Sequence, residues 1–362
     1  MDGLHDILLQ TARRGCQKQD YQSGRMPSGH NGPWKHVDTS VRNTSHWTIT
    51  LLAAYQVSGD EMFREHATRC VEFLTSDVVR PHQKTFIHRK DGSNNCNGLI
   101  GQAWTIEALV YANEFVEQNL ISEAKEVFLL HPFDSETGLW HSIDVDGSVG
   151  SVHSTFNQQL WFAAIGAQLA KKSKQIETMV SRFLDRLETN LRLTGDGLIV
   201  HNSYPHEGYR RFRYDIKNVL FDDLRSRRTE LAIGYHSFNL YGMALLHREY
   251  PNHSFWETTA FESTLQYASS DEFLNKAKNN RYCFGYNPTG LEIAFAGETF
   301  DCARLDVQEW VERQLSLTFD PLEKLMNKGS DPTTLAARFY EAVRLPNIEF
   351  DNLSLFIKGR EQ

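Results

Sequence analysis

Residues 48–74 read TITLLAAYQVSGDEMFREHATRCVEFL, and this stretch decides the fold class. The segment before Ser58 has almost no polar face, which predicts a helix that is buried on all sides. Gly59 and Asp60 then supply a helix stop and a cap for a second helix. That second helix carries an apolar stripe from Phe63 to Leu74, and charged residues fill its other face. The stretch therefore predicts a hairpin of a buried inner helix and a half-exposed outer helix.

The same alternation of buried and amphipathic segments returns along the chain at intervals of roughly 55 residues, which indicates a repeat architecture. Further inner segments are predicted at 98–112, 154–170, 236–246, 290–300 and 334–343, and residues 4–13 are expected to close the outer ring. We predict an all-α fold, an (α/α)6 toroid of six helical hairpins in one domain over residues 1–362. The longer gap before residue 236 predicts an insertion at about 193–235. An open superhelix is the alternative, but polar and aromatic residues at the starts of the inner helices favour a closed ring.

Composition excludes several classes of function. A net charge of −8 and a pI near 6.0 are unlike those of a nucleic-acid-binding protein. No apolar run approaches the length of a membrane span, and the N-terminus lacks a signal-peptide pattern, so we expect a cytoplasmic protein. The sequence contains no GxGxxG, P-loop or metal-ligand cluster, so no cofactor and no metal are expected. The oligomeric state is left open.

The starts of the inner segments are the candidate active site, because helix N-termini offer free N–H donors to hydroxyl and carboxylate groups. His46, His153 and His236 each lie near such a start, and the stretches HSTFN at 153–157 and HSFN at 236–239 resemble each other. The ordinary histidine pKa near 6.5 suits proton transfer on a sugar. We predict that His153, His236 and Asp144 donate and accept protons.

Polar and aromatic residues of the same rim are predicted to hold the substrate. Trp34 and Trp140 are expected in loops, where an indole ring is free to stack on a sugar. Glu292 lies in an otherwise apolar segment and needs a partner or a function. Ser, Thr and Asn also cap helices, and Asp91 and Asp144 lie in turn-like sequences, so structural roles are the alternative. The predicted binding residues are Trp34, Arg42, Asn43, His46, Asp91, Asn97, Trp140, Asn157, Asn239 and Glu292.

Several motifs resemble those of known six-hairpin proteins. The stretch DSETGLWH at 134–141, followed by STFNQQLWFAAIGA at 154–167, resembles the unsaturated-uronyl hydrolases. The stretches HNGPW at 30–34, VRNTSHW at 41–47 and GYNPTG at 285–290 look like proteins of prokaryotic glycan-assembly (N-glycosylation or capsule) clusters, some of which are linked to hexuronate processing. The resemblance implies a glycosidase-like hydrolase that acts on an acidic, uronate-bearing glycan during polysaccharide or glycoprotein glycan biosynthesis. The expected partner is an anionic sugar or oligosaccharide.

One departure from the uronyl hydrolases keeps other functions open. Those enzymes carry catalytic Asp residues at the starts of two successive inner helices, where this sequence has Asn95-Cys96-Asn97 and His153-Ser154-Thr155. Sugar epimerases of the acylglucosamine type share the toroid and use pairs of rim histidines. An epimerase or isomerase of a hexuronate or amino sugar is therefore the second hypothesis. A non-catalytic scaffold in a glycan-assembly complex is the third.

Overall fold

The computed structural model describes residues 3–92, 94–202 and 222–350, with only the backbone of 222–224. In chain order the α-helices are α1 (Leu4–Lys18), α2 (Val41–Ser58), α3 (Glu61–Leu74), α4 (Gly98–Ala112), α5 (Leu120–Leu130), α6 (Phe156–Ala170), α7 (Lys174–Asp185), α8 (Leu187–Asn190), α9 (Asp222–Glu249), α10 (Thr259–Ala268), α11 (Asp271–Lys278), α12 (Thr289–Thr299), α13 (Val307–Thr318) and α14 (Pro332–Ala337). Three 3-10 helices span Gly32–Trp34, Ser254–Glu257 and Arg338–Ala342. The short strands are β1 (Phe133–Asp134), β2 (Leu139–Ile143), β3 (Val149–Val152), β4 (Phe319–Asp320) and β5 (Leu325–Met326).

The inner helices close into a ring. Helix α2 packs on α4, α4 on α6, α6 on α9, and α9 on α12. Helix α12 packs on the 3-10 helix Arg338–Ala342, which together with α14 packs back on α2. Outer helices α3, α5, α7 and α13 each pack on the inner helix that precedes them in the chain, while α1 packs on α2. This confirms the predicted (α/α)6 toroid and rules out the open superhelix.

The inner helices lack a polar face because both of their flanks are covered by neighbours. Residues 41–54 of α2 are buried without exception, and α4 and α6 are buried almost as completely. The predicted stop between α2 and α3 is confirmed. Gly59 adopts the left-handed conformation, with φ of 69°, and the carboxylate of Asp60 accepts the N–H of Met62.

Short antiparallel strands shape the rim. Strand β1 pairs with β2 and β2 with β3, and this hairpin leads directly into α6. Strands β4 and β5 form a second, smaller pair.

Helix α9 differs from its prediction. It begins at Asp222, so that His236 lies in the middle of a helix rather than at its start. Residues 203–221 of the predicted insertion lie outside the described residues. The preceding segment, residues 193–202, folds back on the ring through the isolated bridges Leu193–Ile199 and Thr155–Asn202. In the described parts of the chain, no helix combines the length and the apolarity that crossing a membrane requires. That the whole chain is one domain stays a prediction.

Candidate active site

The starts of the inner helices and their preceding loops enclose a cavity of about 300 Å³, at the lower end of the range for small-molecule sites. Its wall is formed by Asn31, Trp34, His36, Arg89, Asn94, Asn97, Ile100, Trp104, His153, Thr155, Asn157, Gln158, His201, Tyr235, Phe238, Tyr286, Asn287 and Arg338. Among the described residues, the wall contains two arginines and three histidines and no Asp or Glu. The described wall is therefore rich in hydrogen-bonding groups, and its arginines supply the positive charge.

Because the ring is closed, two walls of this cavity lie on opposite sides of it. His153 precedes α6, the third inner helix, and Arg338 begins the last segment of the sixth hairpin. The third and sixth positions of a six-membered ring lie diametrically opposite. A ligand in the cavity would therefore lie between a histidine wall and the wall that carries Arg338.

His153 and His201 are neighbours on the histidine wall. The N–H of Phe156 donates to the carbonyl of His201 at 2.9 Å, and this pairing brings residue 201 beside the start of α6. The Nδ1 atom of His153 accepts the backbone N–H of Thr155 at 3.3 Å, so the neutral ring carries its proton on Nε2. Burial lowers the pKa of His153 to about 4, and burial together with the nearby His153 lowers that of His201 to about 4. Both rings are neutral near pH 7.

Close packing against helix α4 fixes the position of the His153 ring. Gly98, the first residue of α4, has a φ of +61°, and a Cβ built on it would lie 3.0 Å from Nε2 of His153. The same Cβ would lie 2.3 Å from Oε1 of Gln158, an atom that accepts the N–H of Leu99 at 2.9 Å. The positive φ favours glycine at this position, and a side chain here would also displace the end of Gln158 and press on the His153 ring.

Arg338 lies on the opposite wall, and every nitrogen of its guanidinium is engaged by a protein group. Its Nε donates to Glu341 at 2.8 Å, and its Nη2 contacts Glu292 at 2.8 Å and Glu341 at 2.7 Å. Its Nη1 donates to the carbonyl of Tyr286 and to the side chain of Asn287. Because all three nitrogens of the guanidinium have partners, Arg338 acts as a structural cation.

The two carboxylates that hold Arg338 are completely buried. Burial raises the pKa of Glu341 to about 8, against the opposing effect of Arg338. Burial also raises the pKa of Glu292, whose second oxygen accepts the hydroxyl of Ser237 at 2.5 Å. Glu292 thus has the polar partners that a buried carboxylate needs, Arg338 and Ser237, and it lies beneath the cavity rather than on its wall.

Arg89 is the cavity arginine with an available guanidinium. It is half-buried, and within the described ranges its side chain makes no ion pair shorter than 4 Å and no hydrogen bond. Asp38 lies near Arg42, with 3.8 Å between their charged atoms. Burial raises the pKa of Asp38 to about 6, although Arg42 and Arg89 both lower it. Arg89 can therefore bind an anionic group of a ligand.

An aromatic group forms another part of the wall. The indole N–H of Trp34 donates to the hydroxyl of Tyr235 at 2.9 Å, and the Trp34 ring packs against Tyr282. The hydroxyl of Tyr286 donates to the side chain of Asn31 at 2.8 Å. Aromatic faces of this kind accept the apolar face of a sugar ring, and the side-chain amides of Asn97 and Asn157 lie on the same cavity wall.

Two of the predicted rim histidines are not on the rim. His236 is buried within α9, where its Nδ1 accepts the N–H of Ile199 at 3.3 Å and its Nε2 contacts the carbonyl of Thr264 at 3.1 Å. His46 lies inside α2, buried and stacked on Tyr340 with 4.2 Å between ring centroids. The predicted positions are wrong because both helices begin several residues before these histidines.

Trp140 and Asp144 also differ from prediction. Trp140 lies in β2, fully buried against Phe128 and Phe162, so the expected exposed loop position is wrong. The carboxylate of Asp144 accepts the N–H groups of Cys96 at 3.1 Å and Val145 at 2.8 Å, as in a structural turn. Neither side chain is part of the cavity wall.

The remaining predicted residues divide between the wall and its surroundings. Trp34, Asn97, His153 and Asn157 lie on the cavity wall, and their binding of substrate stays a prediction. Asp91 is exposed and accepts the N–H of Val37. Arg42, Asn43 and Asn239 are buried behind the wall, and Arg42 packs over the ring of Trp104 at 4.3 Å.

Fourteen of the eighteen described wall residues were not predicted as site residues, and five of these carry the arginine, histidine and tyrosine groups described above: Arg89, His201, Tyr235, Tyr286 and Arg338. Tyr286 lies inside the GYNPTG stretch that carried a family resemblance, so this motif gave a usable signal. The other four are brought to the cavity by ring closure and by the fold of residues 193–202, which no local pattern reveals.

Comparison with known proteins agrees with this architecture. No profile of an established protein family matches the sequence. Archaeal glycosylation protein Q of Haloferax volcanii is 40% identical over 371 residues, and the match covers 96% of this chain and 99% of the relative.

The chain belongs to the family of archaeal glycosylation protein Q.

Solved structures share the fold at low sequence identity. An unsaturated glucuronyl hydrolase from Bacillus sp. GL1 is 14% identical with a TM-score of 0.61, covering 93% of this chain and 94% of that one. A D-mannose isomerase is 9% identical with a TM-score of 0.64, covering 94% and 97%. The cellobiose 2-epimerase of Bacillus thermoamylovorans is 12% identical with a TM-score of 0.61, covering 91% and 94%. This member of the glycosylation protein Q family therefore has the six-hairpin fold of glycosidases and sugar epimerases.

Proposed function

We propose that the protein is a sugar epimerase or isomerase that transfers a proton on an anionic sugar, with His153 and His201 as the acid and base. One observation carries the proposal: the described cavity wall holds two adjacent neutral histidines and no carboxylate.

Among the described residues, the cavity offers poor chemistry for glycoside hydrolysis, which was the leading hypothesis from the sequence. Most glycosidases need two carboxyl groups that flank the scissile bond at about 5 to 10 Å. Asp144 is held in a turn, and Glu292 is engaged by Arg338 and Ser237 behind the wall. Neither carboxylate can reach a sugar in the cavity without first losing these partners.

Two neutral histidines suit proton transfer next to a carbonyl group. In the open-chain sugar, His153 donates its Nε2 proton to the carbonyl oxygen, and His201 removes a proton from the adjacent carbon. The product of this step is an enediol. Isomerisation is complete when the protonated His201 gives its proton to the former carbonyl carbon and the hydroxyl on the adjacent carbon returns a proton to His153. Epimerisation is complete when a proton is instead added to the opposite face of the carbon that lost it and the first hydroxyl returns its proton to His153. The reaction balances without a redox cofactor and without consumption of water.

An acidic sugar is the substrate class that best fits the positive charge of Arg89. Arg89 has no anionic partner within 4 Å among the described residues, and a carboxylate such as that of a hexuronate would form a charge-assisted pair with it. The family relative is a glycosylation protein, and one structural neighbour is a glucuronyl hydrolase. Both support a role in glycan assembly with an acidic sugar.

Proton exchange in D2O tests the proposal. Hexuronates and oligosaccharides that end in them are incubated with the protein, and NMR follows carbon-bound deuterium and new reducing ends. The proposal predicts deuterium on the carbon beside the carbonyl, lost in His153→Gln and in His201→Gln. An exposed histidine, His82, supplies the control variant His82→Gln, which keeps full exchange.

The other outcomes separate the alternatives. New reducing ends without carbon-bound deuterium would contradict the proposal and favour a hydrolase. A protein that is active in neither assay, and whose His153→Gln variant still supports normal glycan structure in cells, would favour the scaffold hypothesis.

A further inference from the structure

In two successive hairpins, a buried glutamine of the inner helix makes the same pattern of hydrogen bonds to the backbone. In α4, Oε1 of Gln102 accepts the N–H of Phe86 at 2.8 Å, and its Nε2 donates to the carbonyls of Phe86 at 3.0 Å and Cys96 at 2.9 Å. In α6, Oε1 of Gln159 accepts the N–H of Trp140 at 2.9 Å. Each amide thus pairs with both polar groups of one residue in the segment before its helix.

The Gln159 amide also holds the backbone of His153. Its Nε2 donates to the carbonyl of Trp140 at 2.8 Å and to the carbonyl of His153 at 2.9 Å. The N–H of His153 in turn donates to the same Trp140 carbonyl at 3.2 Å. Both backbone polar groups of His153 are therefore fixed by a closed set of three residues.

We propose that Gln159 is the positioning residue that sets the place of the His153 ring in the cavity. The Gln159 side chain is buried, and all its hydrogen bonds go to backbone atoms. The position of this amide therefore fixes the position of the main chain at residue 153. The Nδ1 contact with the N–H of Thr155 and the close approach of Nε2 to Gly98 then orient the ring. The functional consequence rests on the proposed function, in which His153 is the acid.

Gln102 provides a matched control because its burial and its three hydrogen bonds are the same in kind. It holds the carbonyl of Cys96, a residue that does not touch the cavity. Gln159→Met and Gln102→Met each remove the three hydrogen bonds while keeping the side-chain volume. Both variants are expected to lower the melting temperature by similar amounts.

The two variants should differ in catalysis. A small displacement of a catalytic group costs on the order of 100-fold in rate, so Gln159→Met is expected to lower kcat by about 10- to 100-fold with little change in KM. Gln102→Met should change kcat by less than about twofold. Equal kcat values for the two variants would overturn the proposal. If Gln159→Met does not fold, Gln159→Glu keeps the acceptor for Trp140 and removes both donors, and the same loss of kcat is expected.

A second readout does not depend on knowing the substrate. NMR titration of the full-length protein reports the pKa of His153, which burial places at about 4. Release of the loop in Gln159→Met should move this pKa toward 6.5, whereas Gln102→Met leaves it unchanged. An unchanged His153 pKa in Gln159→Met would also overturn the positioning role. Full deuterium exchange in His153→Gln would instead contradict the proposed function, so the two failures are distinguishable.

Discussion

Replacing Arg338 with methionine is the perturbation whose effect the structure defines most fully. The change removes all five N–H donors from beneath the cavity and leaves Glu292 and Glu341 without their cation. Both carboxylates are 0% exposed, so water does not replace the lost partner. Removal of one member of a buried ion pair costs about 3–5 kcal/mol. For a chain of this length that loss corresponds to a melting temperature lower by about 4–7 °C.

The loss should depend on pH, and its sign follows from the carboxylates. Burial raises the pKa of Glu341 to about 8, above the ordinary value for glutamate. A carboxylate with a raised pKa favours the folded state at low pH, and that stability is lost as pH rises through the folded pKa. Without the positive charge of Arg338 the pKa values of the two carboxylates rise further, so ionising them costs the folded state more. Arg338→Met should therefore destabilise the protein more at pH 8 than at pH 5.

Urea denaturation at these two pH values measures the effect. Arg14 is the matched control, since it contacts Glu323 at the same 2.8 Å but at the surface. The variant Arg14→Met should therefore lose no more than about 1 kcal/mol. A triple variant, Arg338→Met with Glu292→Gln and Glu341→Gln, should recover part of the stability. A loss for Arg338→Met equal to that for Arg14→Met, or one that does not change with pH, would refute the reasoning.

Three further predictions follow from the cavity and its surroundings. Gly98→Ala should lower the free energy of unfolding by about 2–4 kcal/mol, because of backbone strain and overlap with Gln158 and His153. The control Gly59→Ala has a similar φ of +69° and nothing within 4 Å, so it should show only the backbone cost of about 1–2 kcal/mol. Equal losses in urea denaturation would contradict the overlap. Arg89→Met should raise KM by about 10- to 100-fold for an acidic sugar without lowering the melting temperature, and an unchanged KM would remove Arg89 from the binding site. Stability should also fall as pH drops from about 6.5 toward 4, because burial keeps six histidines neutral in the folded state while the same histidines bind protons in the unfolded chain. The four buried carboxylates with a raised pKa among the described residues, Asp38, Glu107, Glu292 and Glu341, act in the opposite direction but are fewer. Denaturation at stepped pH checks this, and a flat profile would contradict it. Those histidines are His46, His88, His131, His153, His201 and His236.

The ring could be predicted from the sequence because burial on both flanks leaves a pattern in each inner helix. The all-apolar segment after Trp47 and the stop at Gly59 are local signals, and the structure confirms both. Helix starts leave a weaker local signal. The stretches HSTFN and HSFN look alike, but a His-Ser pair precedes a helix at His153 and lies in mid-helix at His236.

The site itself was only partly predictable because ring closure assembles it. Trp34 and His153 reach the cavity as expected. Arg89 and Arg338 are separated by more than half of the chain, and only the contact between the first and last hairpins brings them to one cavity. The sequence also gives no sign that buried carboxylates engage Arg338, whereas Arg89 has no carboxylate within 4 Å among the residues that the structure describes. That difference decides which arginine is available to a ligand, and it depends on packing.

The most direct test of the central claim is a crystal structure of the His153→Gln, His201→Gln double variant with a bound acidic sugar. We expect the sugar inside the cavity, its anionic group on Arg89, and the carbon that exchanges its proton facing positions 153 and 201. A sugar bound elsewhere on the ring, or one whose reacting carbons face the Arg338 wall, would contradict it.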